Sequence, residues 1–339
     1  MSTQELIATA HSLVAPGKGI LAADESNATI EKRLSKIGVT STEAARRDYR
    51  EMLFSAPGIS EAISGVILYD ETIRQKAADG TSFVDLLKKR GIVPGIKVDT
   101  GAKDLASCPG EKVTEGLDGL RDRFKEYYKL GARFAKWRAV ININDGTPSE
   151  TCLIANAEAL ARYAALAQEQ SIVPIVEPEV IMDGAHGIER CEDATVRALV
   201  HVFSKLREHK VMLEGLLLKP NMILAGTEAA NQPEIATVAD RTVRTFLRYV
   251  PAAVPGIVFL SGGQSDELAT AHLNEMNAKY PNVPWQLSFS YGRALQAPAL
   301  KAWGGKPECV KSGAAAFAHR ARLNSAARYG KYSPAMESQ

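Results

Sequence analysis

Eight short apolar runs recur along this chain, and longer stretches with the spacing of amphipathic helices separate them. The runs are Gly19 to Asp24, Gly65 to Asp70, Val93 to Asp99, Ala132 to Arg138, Ile172 to Glu179, Gly215 to Asn221, Gly256 to Gly263 and Trp285 to Gly292. Runs this short are of strand length, and their nearly continuous apolar character suits strands covered on both faces. Between them, residues 116 to 130, 149 to 168, 194 to 208, 235 to 249 and 265 to 278 read as helices. Strand and helix in alternation predict a parallel sheet, because parallel neighbours need a crossover connection. Eight such units at intervals of roughly 30 to 45 residues fit a closed (β/α)8 barrel better than an open doubly wound sheet. No G-x-G-x-x-G turn follows the first run to support a dinucleotide-binding open sheet.

The expected fold is therefore α/β, a single (β/α)8 TIM barrel with additional terminal helices. Leu6, Ile7, Ala10, Leu13 and Val14 follow helical spacing at the amino terminus, and Ala314 to Ala327 does so near the other end. The barrel is expected to occupy residues 1–328, with 329–339 a short mobile C-terminal tail, polar and proline-containing. A chain of 339 residues exceeds the ~250 typical of such barrels but lies within their range once insertions are allowed.

Net charge is only +2 and no long basic block occurs, which argues against nucleic acid and against anionic membrane as partners. The four cysteines are scattered, with no C-x-x-C pair, and the six histidines do not cluster around them. A core this large does not need disulfides, and the first residues lack the pattern of a secretory signal. The expected compartment is the reducing cytoplasm.

Charge is concentrated where the apolar runs end. The first run closes in Asp24-Glu25-Ser26, the third holds Lys97 and Asp99, the fourth Lys136 and Arg138, the fifth Glu177 and Glu179, and the sixth Lys219. Residues two apart on a strand share a face, so Lys136 points with Arg138 and Glu177 with Glu179. In a barrel, strand carboxyl ends meet at one face, where barrel enzymes hold their chemistry. Lys219 ends the run Gly215-Leu-Leu-Leu-Lys-Pro-Asn221, and burial there would disfavour its ammonium form and favour the neutral amine that attacks carbonyls. Two lysines near one another would each disfavour protonation of the other. Taken singly, each residue has a structural explanation: Lys219 snorkelling to solvent, Asp24 capping a helix, Lys97 a solvated strand end, Glu179 a simple ion pair.

The seventh run ends in Ser261-Gly262-Gly263-Gln264 and the eighth in Ser290-Tyr291-Gly292-Arg293. Free backbone N–H groups in the first and a guanidinium in the second suit phosphate, and loops after strands seven and eight are the frequent phosphate site of these barrels.

The segments Gly17-Lys-Gly-Ile-Leu-Ala-Ala-Asp-Glu-Ser26, Gly95-Ile-Lys-Val-Asp99, Phe134-Ala-Lys-Trp-Arg138, Ile172-Val-Pro-Ile-Val-Glu-Pro-Glu179, Leu216-Leu-Leu-Lys-Pro-Asn221, Phe259-Leu-Ser-Gly-Gly-Gln264 and Phe289-Ser-Tyr-Gly-Arg-Ala-Leu295 resemble class I fructose-bisphosphate aldolase. The likeness runs in order from about Ser12 to Tyr332 and includes Ala302-Trp-Gly-Gly305. It implies metal-independent cleavage of fructose 1,6-bisphosphate to dihydroxyacetone phosphate and glyceraldehyde 3-phosphate, with no cofactor and no metal ligands. By resemblance, Lys219 is the Schiff-base lysine and Glu177 the principal acid and base, with Asp24, Lys136 and Glu179 in support. Ser261, Gly262, Gly263, Ser290, Gly292 and Arg293 match the site of the ketose C1 phosphate. Ser26, Lys97 and Arg138 match the region of the C6 phosphate, with Thr29, Lys32 and Arg33 close by. Thr29 stands where the family commonly has serine. The resemblance also implies a cytoplasmic homotetramer acting on a phosphorylated sugar.

Family members commonly end in a longer tail whose terminal tyrosine assists proton transfer to the enamine. Here the last tyrosine is Tyr332, which leaves open the group that carries this proton. The residues also do not choose among fructose 1,6-bisphosphate, fructose 1-phosphate and sedoheptulose 1,7-bisphosphate. Competing readings are a non-catalytic phosphosugar-binding protein, a transaldolase-like Schiff-base barrel and a metal-dependent aldolase. The first would be expected to have lost Lys219 or Glu177, and the second fits the phosphate motifs less well. The third would place histidines at strand ends, whereas only His186 in Asp183-Gly-Ala-His186 is even loosely ligand-like.

Overall fold

The structure is a computed structural model that describes residues 3–338. Its strands are β1 (Gly19–Ala23), β2 (Ile63–Leu68), β3 (Val93–Lys97), β4 (Gly101–Asp104), β5 (Lys112–Glu115), β6 (Phe134–Ile141), β7 (Val173–Val180), β8 (Leu217–Leu218), β9 (Gly256–Phe259) and β10 (Gln286–Tyr291). Eight of these close into a barrel in the order β1-β10-β9-β8-β7-β6-β3-β2, every pair parallel. Closure decides between the two sheet topologies that periodicity alone allows. Each of the eight apolar runs contributes one barrel strand.

The barrel interior is apolar at one end and charged at the other. Ile20, Ile67, Phe134, Val173, Ile175, Leu217 and Val258 fill the amino-terminal half, and Leu6, Ala10 and Leu13 of the helix Thr3–Leu13 join them. Phe134 fits because its neighbours are small: a Cβ on Gly65 would lie 3.0 Å from its ring. With that end packed tightly, the polar residues of the strands are confined to the carboxyl face. A second core lies between barrel and helices, where Trp137 stacks on Tyr163 at 5.6 Å and Phe246 on Phe259 at 5.8 Å.

Register fixes which side chains face inward. β6 and β7 pair over their full lengths, setting Lys136 beside Ile175, Arg138 beside Glu177 and Val140 beside Glu179. The alternation expected for Lys136 with Arg138 and for Glu177 with Glu179 is therefore realised on adjacent strands. β8 is much shorter than the run Gly215 to Asn221 suggests. A 3-10 turn, Leu213–Gly215, precedes it, and Pro220 has no N–H to extend the ladder. The Lys219 N–H still donates to Val176 O at 2.8 Å, so its backbone is held in line with the strand.

The antiparallel hairpin of β4 and β5 had no counterpart in the sequence reading, since two four-residue polar strands show no clear periodicity. The helix Ile188–Glu208 begins earlier than its apolar spacing indicates, whereas Ile235–Tyr249 coincides with the segment expected. Residues 329–338 are engaged through side chains. Buried Arg320 donates to both carboxylate oxygens of Glu337, at 2.8 and 2.7 Å, and the Tyr332 hydroxyl donates to Glu337 Oε1 at 2.7 Å.

Candidate active site

A cavity of about 530 Å3 opens at the carboxyl ends of the barrel strands. Asp24, Lys136, Glu177, Glu179 and Lys219 all line it. So do Ser26, Thr29, Lys32, Arg33, Lys97 and Arg138 on one side, and Ser261, Gly262, Ser290, Gly292 and Arg293 on another. Gly263 follows Gly262 in the turn after β9. Its backbone N–H contacts Met182 Sδ, with N and S 2.7 Å apart.

Four charged groups meet at the cavity floor. Lys136 Nζ lies 2.7 Å from Asp24 Oδ2 and 3.2 Å from Glu177 Oε2, and Lys219 Nζ lies 3.1 Å from Glu177 Oε1. Lys136 and Lys219 are each only 4% exposed, so neither snorkels to solvent. Two ammonium groups face two carboxylates, and the formal charges cancel within the cluster. Such a buried set is stable only while each member keeps its partners.

Burial pushes the Asp24 carboxyl up, but Lys136, then Lys219 and Lys97, outweigh it and hold the group well below the usual carboxylate range. Glu177 behaves alike: burial raises it, and Lys136, Lys219 and Arg138 together lower it. Lys136 is raised. Burial disfavours its ammonium, yet Asp24, Glu177 and Asp99 more than compensate. This corrects the expectation that two adjacent lysines suppress each other's protonation, because around Lys136 the carboxylates dominate. Arg138 donates through Nε to Glu179, an ion pair on the same wall.

Towards the mouth, the helix Asn27–Ser35 starts at Ser26, whose hydroxyl makes no capping bond and instead lies 3.1 Å from Thr29 Oγ1. An uncapped first turn leaves N–H groups open to an anion, with the paired hydroxyls beside them. Lys97 Nζ is braced by Asp99, at 2.7 Å from Oδ1 and 2.9 Å from the carbonyl. Across the cavity, Gly262 adopts a left-handed φ of 58°. Arg293 Nη2 donates to Gly262 O at 3.1 Å, which brings the turn after β9 and the guanidinium after β10 together. Ser290 Oγ is buried and has no protein partner, a hydroxyl left open on the cavity side.

Sequence reasoning missed Lys36, which also lines the cavity. The signal was present, since Lys32 and Lys36 stand four apart at the end of one helix. Gly101 and Ala102 of β4 also contribute to the wall. Tyr332 is elsewhere: its N–H donates to Asn274 and its hydroxyl to Glu337, and it does not line the cavity.

The family model described as Fructose-bisphosphate aldolase class-I matches residues 5–339. The chain belongs to this aldolase family. The probable fructose-bisphosphate aldolase class 1 of Xanthomonas campestris pv. campestris is 59% identical over 303 residues, covering 89% of this chain and 90% of that one. Fructose-bisphosphate aldolase 6, cytosolic, of Arabidopsis thaliana is 55% identical over 97% of this chain and 91% of its own length. Among solved structures, the fructose-bisphosphate aldolase of Plasmodium falciparum superposes with a TM-score of 0.96 at 50% identity, covering 97% of this chain and 95% of that one. This aldolase is thus a carbon–carbon lyase of the class I fructose-bisphosphate type.

Proposed function

We propose that Lys219 supplies the reacting amine of this aldolase and Glu177 moves the protons. The observation that carries this assignment is the 3.1 Å contact between Lys219 Nζ and Glu177 Oε1 inside a buried, charge-balanced cluster. Passing one proton across that contact converts the ion pair into a free amine and a carboxylic acid. Those are the nucleophile and the acid that imine formation requires. The lowered Glu177 pKa is therefore compatible with acid catalysis, because the proton comes from its own neighbour rather than from solvent.

The sequence of steps follows. Lys219 adds to the C2 carbonyl, and Glu177 protonates the departing C2 hydroxyl, which leaves as water. The cationic imine remains beside a Glu177 carboxylate. That carboxylate takes the C4 hydroxyl proton, the C3–C4 bond breaks, and its electron pair neutralises the imine as an enamine. Glyceraldehyde 3-phosphate leaves. Protonation at C3 and hydrolysis of the imine release dihydroxyacetone phosphate. Lys136 stays charged throughout and keeps Asp24 ionised, so Asp24 can accept hydrogen bonds from substrate hydroxyls. Glu179 holds Arg138 against the wall.

The phosphates take the two basic ends. Ser261, Gly262, Ser290, Gly292 and Arg293 receive the C1 phosphate, and Ser26, Thr29, Lys32, Arg33, Lys97 and Arg138 serve the C6 end. Each charge-assisted hydrogen bond is worth about 1.5–3 kcal/mol. Gly263 is left out of the phosphate set because its amide faces Met182.

Borohydride reduction in the presence of dihydroxyacetone phosphate tests the assignment. One lysine should become labelled, and peptide mapping should find it at position 219. A label on Lys136 would overturn it.

The relatives named cytosolic in Arabidopsis thaliana and cytoplasmic in Spinacia oleracea support a cytoplasmic location. Among the described residues no helix is long and apolar enough to cross a membrane. We further expect a homotetramer, as in other members of the family. Sedimentation equilibrium should read four times the 36.6 kDa chain mass, and a monomeric mass would refute it.

A further inference from the structure

Gln296 lies on the helix Arg293–Trp303, one turn beyond Arg293, and is 1% exposed. Its Nε2 donates to Ala22 O at 2.7 Å and to Glu25 Oε1 at 2.8 Å. The Tyr49 hydroxyl donates to Gln296 Oε1 at 2.9 Å, so the amide's two ends are each committed. Glu25 Oε1 in turn pairs with the Arg33 guanidinium. Buried Arg50 holds the same residue from the other side, donating to Glu25 O at 3.1 Å and lying 3.5 Å from Oε2. Arg33 and Glu25 both line the cavity, and Arg33 is the more open of the two, with 23% of its side chain exposed against 5%. A Cβ added at Gly292 would come within 3.7 Å of Arg33 Nη2. The guanidinium therefore spans from the helix Asn27–Ser35 to the loop that carries Arg293.

We propose that Gln296 is a positioning residue that fixes Glu25 and through it aims Arg33 at the substrate phosphate it serves. The inference rests on the reading of Arg33 as a phosphate ligand. One helix then serves both arginines: its first residue is Arg293, and Gln296, one turn on, sets the direction of Arg33. A glutamine suits the task better than a cation. It can donate to a carboxylate already paired with two arginines without adding a third positive charge to a buried cluster. The buried phenol of Tyr49 is pushed up by burial and by Glu25, and so remains a donor to the amide.

The test separates binding from chemistry. Gln296→Met keeps length and removes the hydrogen bonds. It should raise KM for fructose 1,6-bisphosphate five- to tenfold while kcat, and borohydride trapping at saturating dihydroxyacetone phosphate, change less than twofold. In an Arg33→Ala background the same substitution should add nothing. If it raises KM as much there as in the parent, Gln296 does not act through Arg33 and the inference fails. Should Arg33→Ala raise KM while Gln296→Met leaves it unchanged, positioning fails but the phosphate role stands. An unchanged KM for Arg33→Ala would instead remove the reading beneath it. Tyr49→Phe covers the case in which Gln296→Met does not fold: it frees the amide alone and should raise KM two- to threefold, and no rise counts against the proposal.

Discussion

Lys219→Arg is expected to lose at least about 10^4-fold in kcat, on the scale of removing a covalent nucleophile from an enzyme. A guanidinium stays protonated at any working pH and cannot add to a carbonyl. It does keep a positive charge against Glu177, whose contact with Lys219 spans 3.1 Å. The rest of the cluster, Lys136 with Asp24 and Glu177, should therefore remain paired, and thermal unfolding should shift little. Affinity for a non-reacting hexitol bisphosphate, measured by calorimetry, should change less than about threefold, since most of it comes from the phosphate ends. Loss of turnover with binding intact would isolate the amine as chemistry rather than scaffold. Residual turnover above one part in a hundred, with a borohydride adduct on another lysine, would place the nucleophile elsewhere.

The face on which these residues meet could be read from sequence because two strands are long and regular. Over β6 and β7 the period of two is uninterrupted, so the inward direction of Lys136, Arg138, Glu177 and Glu179 follows from spacing alone. The strand of Lys219 was harder. Three leucines predict a long strand, but a 3-10 turn and Pro220 leave two ladder residues. Lys219 kept its place because its own N–H is bonded to β7. What could not be read was distance. Sequence spacing places lysines and carboxylates at the same barrel face, but not Lys136 between Asp24 and Glu177, the arrangement that lets carboxylates outweigh the neighbouring lysine. Gln296 and Glu25 are 271 residues apart, and no local pattern links them. The contact of the Gly263 amide with the sulfur of Met182, 81 residues away, is equally invisible to any local pattern.

Lys136→Met should destabilise the fold and displace the pH dependence of that stability in a defined direction. Removing one partner of a buried ion pair costs about 3–5 kcal/mol, because the charge left behind is uncompensated. In the parent, Asp24 is held well below its ordinary pKa, so the stability it contributes is fully present above the unfolded value near 4 and is lost only as pH falls through the depressed folded value. Without Lys136, burial, the largest single influence on Asp24, is no longer outweighed, and the folded pKa should rise above the unfolded one. The sign then reverses. In the variant the Asp24 contribution should be least unfavourable at low pH, where Asp24 is neutral in both states, and should weaken the fold as pH rises through the raised folded value. Denaturant unfolding at several pH values should therefore show the gap between parent and variant widening from about pH 4 towards neutrality. The double variant Asp24→Asn with Lys136→Met removes the orphaned charge and should recover much of the lost stability. It should not recover kcat, which should stay about two to four orders of magnitude low because Glu177 has lost the first of the cations that keep it ready to accept the C4 proton. A gap that stays constant with pH would mean that Lys136 does not hold Asp24 ionised, and the charge-balanced cluster would lose its role in the mechanism.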